Sequence, residues 1–385
     1  MAMNRRQALL TAALTALGGS AAACGTGGTH GSDTGTRTRA RTDAGPLPAG
    51  LRMPDEAHPH ARTFMAWPHA AVWGGDTEGV RADIARIART VAGFEPVTLL
   101  AGKRDAEGAR KACGSTVDVV GIPVDDLWMR DTGPTFVLRE DGRPAGLDLH
   151  FNGWGGKQEH GLDRQVARRL LAHEGLERIP APLVAEGGSL EVDGAGTLLV
   201  TESSLVNDNR NKGTSRAAVE DGLKAMLGVR EVIWLKGLKS EDITDYHVDS
   251  LARFAAPGVV VLNTPAPGAP RDVWLKAYEE ARSVLRSAVD ARGKGLEVVA
   301  LPEPADIGRR GPDFLASYVN YYVINGAVLA PRFGDRKADD RAAGVLRELY
   351  PGRRVVQLPV DTLAEGGGSI HCSTQQLPRG TDSDR

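Results

Sequence analysis

Val355-Val356-Gln357-Leu358-Pro359-Val360-Asp361-Thr362-Leu363-Ala364-Glu365-Gly366-Gly367-Gly368-Ser369-Ile370-His371-Cys372 is a β-rich apolar run followed at once by a polar, glycine-rich loop. The same succession occurs four times upstream. The runs are Val117–Val120, Leu183–Val184, Val232–Leu235 and Val298–Leu301. Their loops hold, in turn, Trp128-Met129-Arg130-Asp131, Glu186-Gly187-Gly188-Ser189, His247-Val248-Asp249 and the segment Pro302 to Phe314. Most runs follow a helical pattern. Val80, Ile84, Ile87 and Val91 share one helical face ahead of a strand at Val97–Leu100, and residues 214–227, 271–288 and 336–349 also read as helices. Paired short strands lie between them, as in Leu190–Val192 with Thr197–Val200 and Leu251–Phe254 with Val259–Leu262. The chain therefore reads as an α/β fold with a unit of about 60 residues, strand-strand-helix-strand, repeated five times. Units arranged radially would gather their loops around one axis.

Those loops bring together Asp131, Glu186, His247, Asp249 and Cys372. Cys372 lies just past the glycine-rich loop among polar residues, the setting of a reactive thiol. A thiol nucleophile needs a base or a cationic neighbour. His247 is the best candidate, with Asp249 on the same side of an extended segment. His371 adjoins Cys372, but successive strand residues face opposite ways, so its ring is expected to point away from the thiol. Three carboxylates around one thiol would raise its pKa unless a cation joins them. A guanidinium is such a cation, and its paired N–H donors match a carboxylate bidentately. A metal site is the competing use of these acids, but no His-x-x-x-His or comparable pair supports it. Cys113, at a probable helix end, reads as a small buried hydrophobe.

The ends read differently from the middle. Asn4-Arg5-Arg6-Gln7, the apolar segment Ala8 to Leu17, and Ala21-Ala22-Ala23 form a signal peptide over residues 1–24 with a twin-arginine start, so export to the outer face of the cytoplasmic membrane or beyond is expected. Cys24 is a candidate lipid acceptor and thus a membrane anchor. Residues 25–50 read as a flexible linker, 51–378 as the catalytic domain and 379–385 as a disordered tail. The 385 residues are 41% hydrophobic, enough for one large core or two ordinary ones. The formal net charge of -2 gives no electrostatic case for nucleic acid. No apolar stretch approaches the roughly 20 residues of a transmembrane helix. The sequence is compatible with an oligomer.

Several segments, in one order, resemble agmatine deiminases and the bacterial peptidylarginine deiminases grouped with them. They are Trp128 to Pro134, Phe151-Asn152-Gly153-Trp154-Gly155-Gly156, Glu186 to Ser189, Asn207-Asp208-Asn209-Arg210, His247 to Asp249, Tyr318-Val319-Asn320-Tyr321-Tyr322 and Glu365 to Cys372. The resemblance runs from about Met53 to Gln376 and implies the pentein fold, a five-bladed α/β propeller. It implies Cys372 as nucleophile and His247 as general acid and base. Asp131 and Asp249 would bind the guanidinium, and Glu186 would contact it or orient His247. Trp128 would wall the pocket, with Trp154 and Arg210 among the substrate contacts. No metal or organic cofactor is implied. The substrate would be a small guanidino compound such as agmatine, or peptidyl-arginine; a tethered protein that binds guanidino compounds without turnover is the non-enzymatic alternative. The chain departs from the family pattern at Tyr246, Ser250 and Ser373, all expected at the pocket rim.

Overall fold

A computed structural model describes residues 45–381. The expected signal segment with Cys24, most of the linker, and residues 382–385 lie outside the described residues.

Among the described residues the first strand is β1 (His60–Ala66), and the helix Thr77–Ala92, β2 (Val97–Leu100), the helix Ala106–Cys113 and β3 (Val117–Val120) come after it. In the first helix Val80, Ile84, Ile87 and Val91 are fully enclosed, as their spacing predicts. Glu78 in its first turn and Arg89 in its last complement the helix dipole. The helix carries the chain across the sheet so that β2 pairs parallel to β1, Phe64 opposite Thr98. Three further sheets repeat one plan. β4 (Thr135–Leu138) and β5 (Pro144–Asp148) form an antiparallel hairpin, the helix Val166–Glu174 follows, and β6 (Arg178–Pro180) returns parallel to β5. β7 (Glu191–Val192), β8 (Thr197–Thr201), the helix Arg216–Leu227 and β9 (Glu231–Leu235) repeat it. So do β10 (Ala252–Ala256), β11 (Val259–Thr264), the helix Val273–Ser287 and β12 (Glu297–Pro302). A fifth sheet holds β13 (Tyr322–Ile324), β14 (Ala327–Arg332), the helix Arg336–Leu349 and β15 (Arg354–Pro359). The last strand among the described residues, β16 (Gln375–Pro378), pairs antiparallel with β1, so the first sheet joins strands from early and late in the described segment.

The expected strand-strand-helix-strand unit is present in all five sheets, with two corrections. In the first sheet the unit is β16, β1, helix, β2, so Val97–Leu100 is the repeat strand and Val117–Val120 is an extra fourth strand. In the second sheet the strand is Arg178–Pro180, not Leu183–Val184. Val184 meets its backbone requirement through a side chain: its N–H donates to Asn211 Oδ1 at 3.0 Å, and its carbonyl accepts from Asn211 Nδ2 at 2.9 Å.

The boundaries of the fold also move. Leu47, placed in the linker by the sequence, already packs against the core shared by the second and third sheets. At the other end, Arg379 N–H donates to Pro59 O at 2.7 Å and Thr381 N–H to Gly142 O at 3.1 Å. Residues 379–381 are therefore tied to the sheet rather than part of a loose tail. Cys113 is fully enclosed at its helix end, where burial pushes its thiol up to about 11.

Candidate active site

The polar loops at corresponding points of the units converge. Asp131 sits in a short helix, Met129–Thr132, after β3 and is buried. Its Oδ1 accepts the Gly188 N–H at 3.0 Å, and its Oδ2 accepts the Trp154 indole N–H at 2.8 Å. Trp154 was expected among the substrate contacts. Its ring is enclosed in the core with its donor on Asp131, so it aims that carboxylate instead. It does so from a left-handed backbone (φ 54°), an uncommon state for a bulky residue.

Glu186 is fully buried, and Arg210 Nε donates to its two oxygens at 2.9 and 3.1 Å. Arg210 is the second correction. Its Nη1 donates to Asp245 Oδ2 at 2.6 Å and to Asn209 Oδ1 at 3.0 Å, and its Nη2 to Thr244 O at 3.0 Å. All three nitrogens are taken by the protein and the side chain has no exposed surface. Arg210 thus ties Glu186 to the loop that carries His247. Two left-handed non-glycine residues, Asp245 and Tyr246, immediately precede that histidine (φ 60° and 66°). Such strain is held only where surroundings over-determine it. Here Arg210, Asn209, Lys157 and the Ser240 N–H all hold the Asp245 carboxylate.

His247 lies between two acids. Its Nε2 is 3.2 Å from Glu186 Oε2 and its Nδ1 is 3.7 Å from Asp131 Oδ2. Burial alone would depress its pKa, but the charge of Asp131, the hydrogen bond the ring donates to Glu186 and the charges of Glu186 and Asp249 outweigh that and raise it to about 9. At neutral pH His247 is an imidazolium with a proton to give. Asp249 stands in the next turn, buried, with Oδ2 3.6 Å from the Cys372 sulfur.

Gly188 explains why the second loop must be glycine. A Cβ there would lie 2.7 Å from His247 Nδ1, 2.9 Å from Asp131 Oδ1 and 3.1 Å from Asp249 Oδ2, so three functional groups meet at one point that only hydrogen can occupy. Gly368 plays the same part beside the thiol. A Cβ there would be 2.3 Å from the Trp128 ring and 3.1 Å from Cys372 Cβ, so the indole lies across bare backbone next to Cys372. Trp128 is held there by its N–H to Asp126 Oδ2 at 3.0 Å.

Cys372 is half-buried, whereas every acid around it is buried. Burial, then the charges of Asp249 and Asp131, push its thiol well above the usual value. Asn320 opposes this by donating Nδ2 to the sulfur at 3.2 Å, while its Oδ1 accepts the Cys372 N–H at 3.4 Å. Burial, then Asp249 and Glu186, also push Asp131 upward against the pull of His247. Glu186 and Asp249 are held below their usual values: burial is overcome by Arg210 and His247 for the first, and chiefly by His371 for the second. Burial and the neighbouring carboxylates push Asp131 and the thiol the same way, and a cation beside them would relieve both together.

The structure corrects one further expectation. Residues 370–373 form a turn, not a strand, so the alternation of faces does not apply. His371 reaches the side of the Cys372 sulfur, with Nδ1 2.8 Å from the same Asp249 oxygen that the sulfur touches. Sequence reading also assigned no role to Asn320, a fully buried amide within the tyrosine-rich run Tyr318 to Tyr322. Its signal was its place in Tyr318 to Tyr322, one of the segments that carry the family resemblance.

The raised pKa of His247 sets a direction for stability. The folded state holds this proton more tightly than the unfolded state. The contribution is therefore complete below about pH 6.5 and lost as pH rises through about 9. The melting temperature is expected to fall across that window by more in the wild type than in His247→Gln. Parallel falls in the two proteins would count against the Asp131–His247–Glu186 arrangement.

The family signature of the Porphyromonas-type peptidyl-arginine deiminases matches residues 52–378. The chain is 39% identical over 363 residues to an agmatine deiminase of Medicago truncatula, covering 86% of this chain and 96% of that protein. It is 39% identical over 360 residues to an agmatine deiminase of Stutzerimonas stutzeri, covering 86% and 97%. Its fold superposes on the agmatine deiminase of Enterococcus faecalis with a TM-score of 0.80 at 30% identity, covering 86% of this chain and 96% of that one. With the five repeated units and the converged thiol, imidazole and acids already in place, the chain belongs to the Porphyromonas-type peptidyl-arginine deiminase family, as a pentein-fold enzyme of the agmatine deiminase type.

Proposed function

We propose that the protein hydrolyses agmatine to N-carbamoylputrescine and ammonia through a covalent amidino-thioether on Cys372. One observation carries this reading: a partly buried Cys372 thiol beside three buried carboxylates, touching Asp249, with the His247 ring set between Asp131 and Glu186. Asp131 and Asp249 face the planar cation and Glu186 keeps His247 in register. The cation's charge offsets the carboxylates and lets the thiol release its proton to solvent. The thiolate attacks the guanidinium carbon. His247 gives its proton to the departing nitrogen, the C–N bond breaks and ammonia leaves. The neutral imidazole then takes a proton from water as the water oxygen adds to the thioether carbon. Collapse breaks the C–S bond, returns the thiolate and, with loss of one proton, gives the ureido product. Relatives named agmatine deiminases, matched along almost their whole length, support the choice of substrate.

Ureido-product formation from agmatine, free arginine and an arginine-containing peptide, measured side by side, tests the choice. The expected kcat/KM for agmatine exceeds the others by at least about tenfold. Faster turnover of the peptide would move the substrate to peptidyl-arginine. Stoichiometric binding of all three with no product would make the protein a guanidino-binding module.

A further inference from the structure

His371 takes no part in the steps above, yet its ring is buried and bonded at both ends. Nδ1 lies 2.8 Å from Asp249 Oδ2 and Nε2 lies 2.8 Å from Glu56 Oε2. Glu56 comes from the segment Pro54 to His60, 315 residues away in sequence from His371. It is fixed from three other directions. Arg130 Nη2 is 3.0 Å from Oε2, Arg253 Nη2 is 2.9 Å from Oε1, and the Val323 N–H donates to Oε1 at 2.8 Å. Arg253 Nε continues to Glu191 Oε2 at 3.2 Å. A rigid ionic chain thus runs from Glu191 through Arg253, Glu56 and His371 to Asp249, and it ends against the Cys372 sulfur.

An ionised carboxylate oxygen only accepts, so each 2.8 Å gap must hold a proton, on one heavy atom or the other. Two protons shared by two carboxylates and one imidazole leave the group with one net negative charge rather than two. The shared positive charge lies beside the Asp249 oxygen that touches the sulfur, while Glu56 at the other end is also paired with Arg130 and Arg253. The other charged groups around the ring and the sulfur are Arg130, Arg253, Glu191, His247 and Asp131, and of these Asp131 and Glu191 add negative charge. We infer that His371 is a positioning residue for the deimination reaction. It locks Asp249 Oδ2 against the Cys372 sulfur, anchors it to Glu56, and shields the forming thiolate from the full charge of that carboxylate. Its part in turnover rests on the function proposed above, but its effect on the thiol does not.

The test reads the thiol without substrate. In His371→Gln, the pH midpoint for alkylation of Cys372 by iodoacetamide, followed on the Cys372 peptide by mass spectrometry, is expected to rise by at least about one unit. In the same variant kcat/KM for deimination is expected to fall at least about tenfold. A role confined to packing would lower the melting temperature and leave the alkylation midpoint in place. An unchanged midpoint in the folded variant would overturn the inference, whatever the substrate proves to be. The wild-type chain gives a second reading if that variant fails to fold. NMR of its histidine ring protons is expected to show slowly exchanging, downfield protons at both Nδ1 and Nε2 of His371, and a freely exchanging Nδ1 site would also overturn the inference.

Discussion

Cys372→Ser is expected to abolish ammonia release, with a loss of at least about a thousandfold in kcat, while Cys113→Ser keeps activity within about twofold. The two thiols differ in every respect that matters to the chemistry. Cys372 is half-buried beside Asn320, Asp249 and the Trp128 ring, where a cation can reach it and favour its thiolate. Cys113 is enclosed at a helix end among apolar residues, its thiol pushed up to about 11 by burial. A serine hydroxyl at 372 ionises far less readily and lacks the polarisable electrons that attack a guanidinium carbon. At 113 serine only places a hydroxyl in an apolar setting, at about 1–3 kcal/mol of stability and no chemistry. Steady-state assays of the two variants, with a melting curve for each, check this. Residual turnover in Cys372→Ser near that of the wild type would end the covalent account.

Asp249→Asn is expected to lower kcat/KM by about ten- to hundredfold, from a charge-assisted contact of about 1.5–3 kcal/mol. Two losses contribute. The substrate cation loses one of its two facing carboxylates, and the amide that replaces it cannot accept through both atoms. His371 Nδ1 and the Cys372 sulfur both touch Asp249 Oδ2, so they are affected together: an amide oxygen there is a weaker, uncharged acceptor for both, and an amide nitrogen accepts from neither. The variant is expected to fold, because Glu56 remains paired with Arg130 and Arg253. Kinetics with agmatine and a melting curve on the same preparation separate the two effects. A folded Asp249→Asn enzyme with wild-type kcat/KM would mean that this carboxylate does not hold the guanidinium.

The converged acids, histidine and thiol were legible in the sequence because each sits in a glycine-rich or polar loop just after an apolar run. Asp131, Glu186, His247, Asp249 and Cys372 all stand where the repeat places them. What it hid are the groups behind them. Glu56 lies in a segment with no hydrophobic period and meets His371 only once β16 pairs with β1. Arg210 was expected among the substrate contacts from the family resemblance, and only the fold shows its three nitrogens spent on Glu186, Asp245, Asn209 and Thr244. His371 was misjudged through an assumption about local geometry. A strand rule was applied to residues 370–373, and the preceding glycines let the backbone turn there instead. Leu183–Val184 fails for a related reason: an apolar run reads as a strand even when Asn211 satisfies its backbone. Pattern locates elements and loops, whereas contacts between distant loops depend on closure of the whole set.

The central claim is that Cys372 carries the substrate carbon during turnover. Acid quenching during steady-state turnover of agmatine, followed by peptide mass spectrometry, tests it most directly. The account predicts an amidino adduct on the peptide containing Cys372, absent from the Cys113 peptide and from an unquenched, substrate-depleted control. Steady turnover with no adduct on Cys372, under conditions that trap thioethers on a reference thiol, would contradict it.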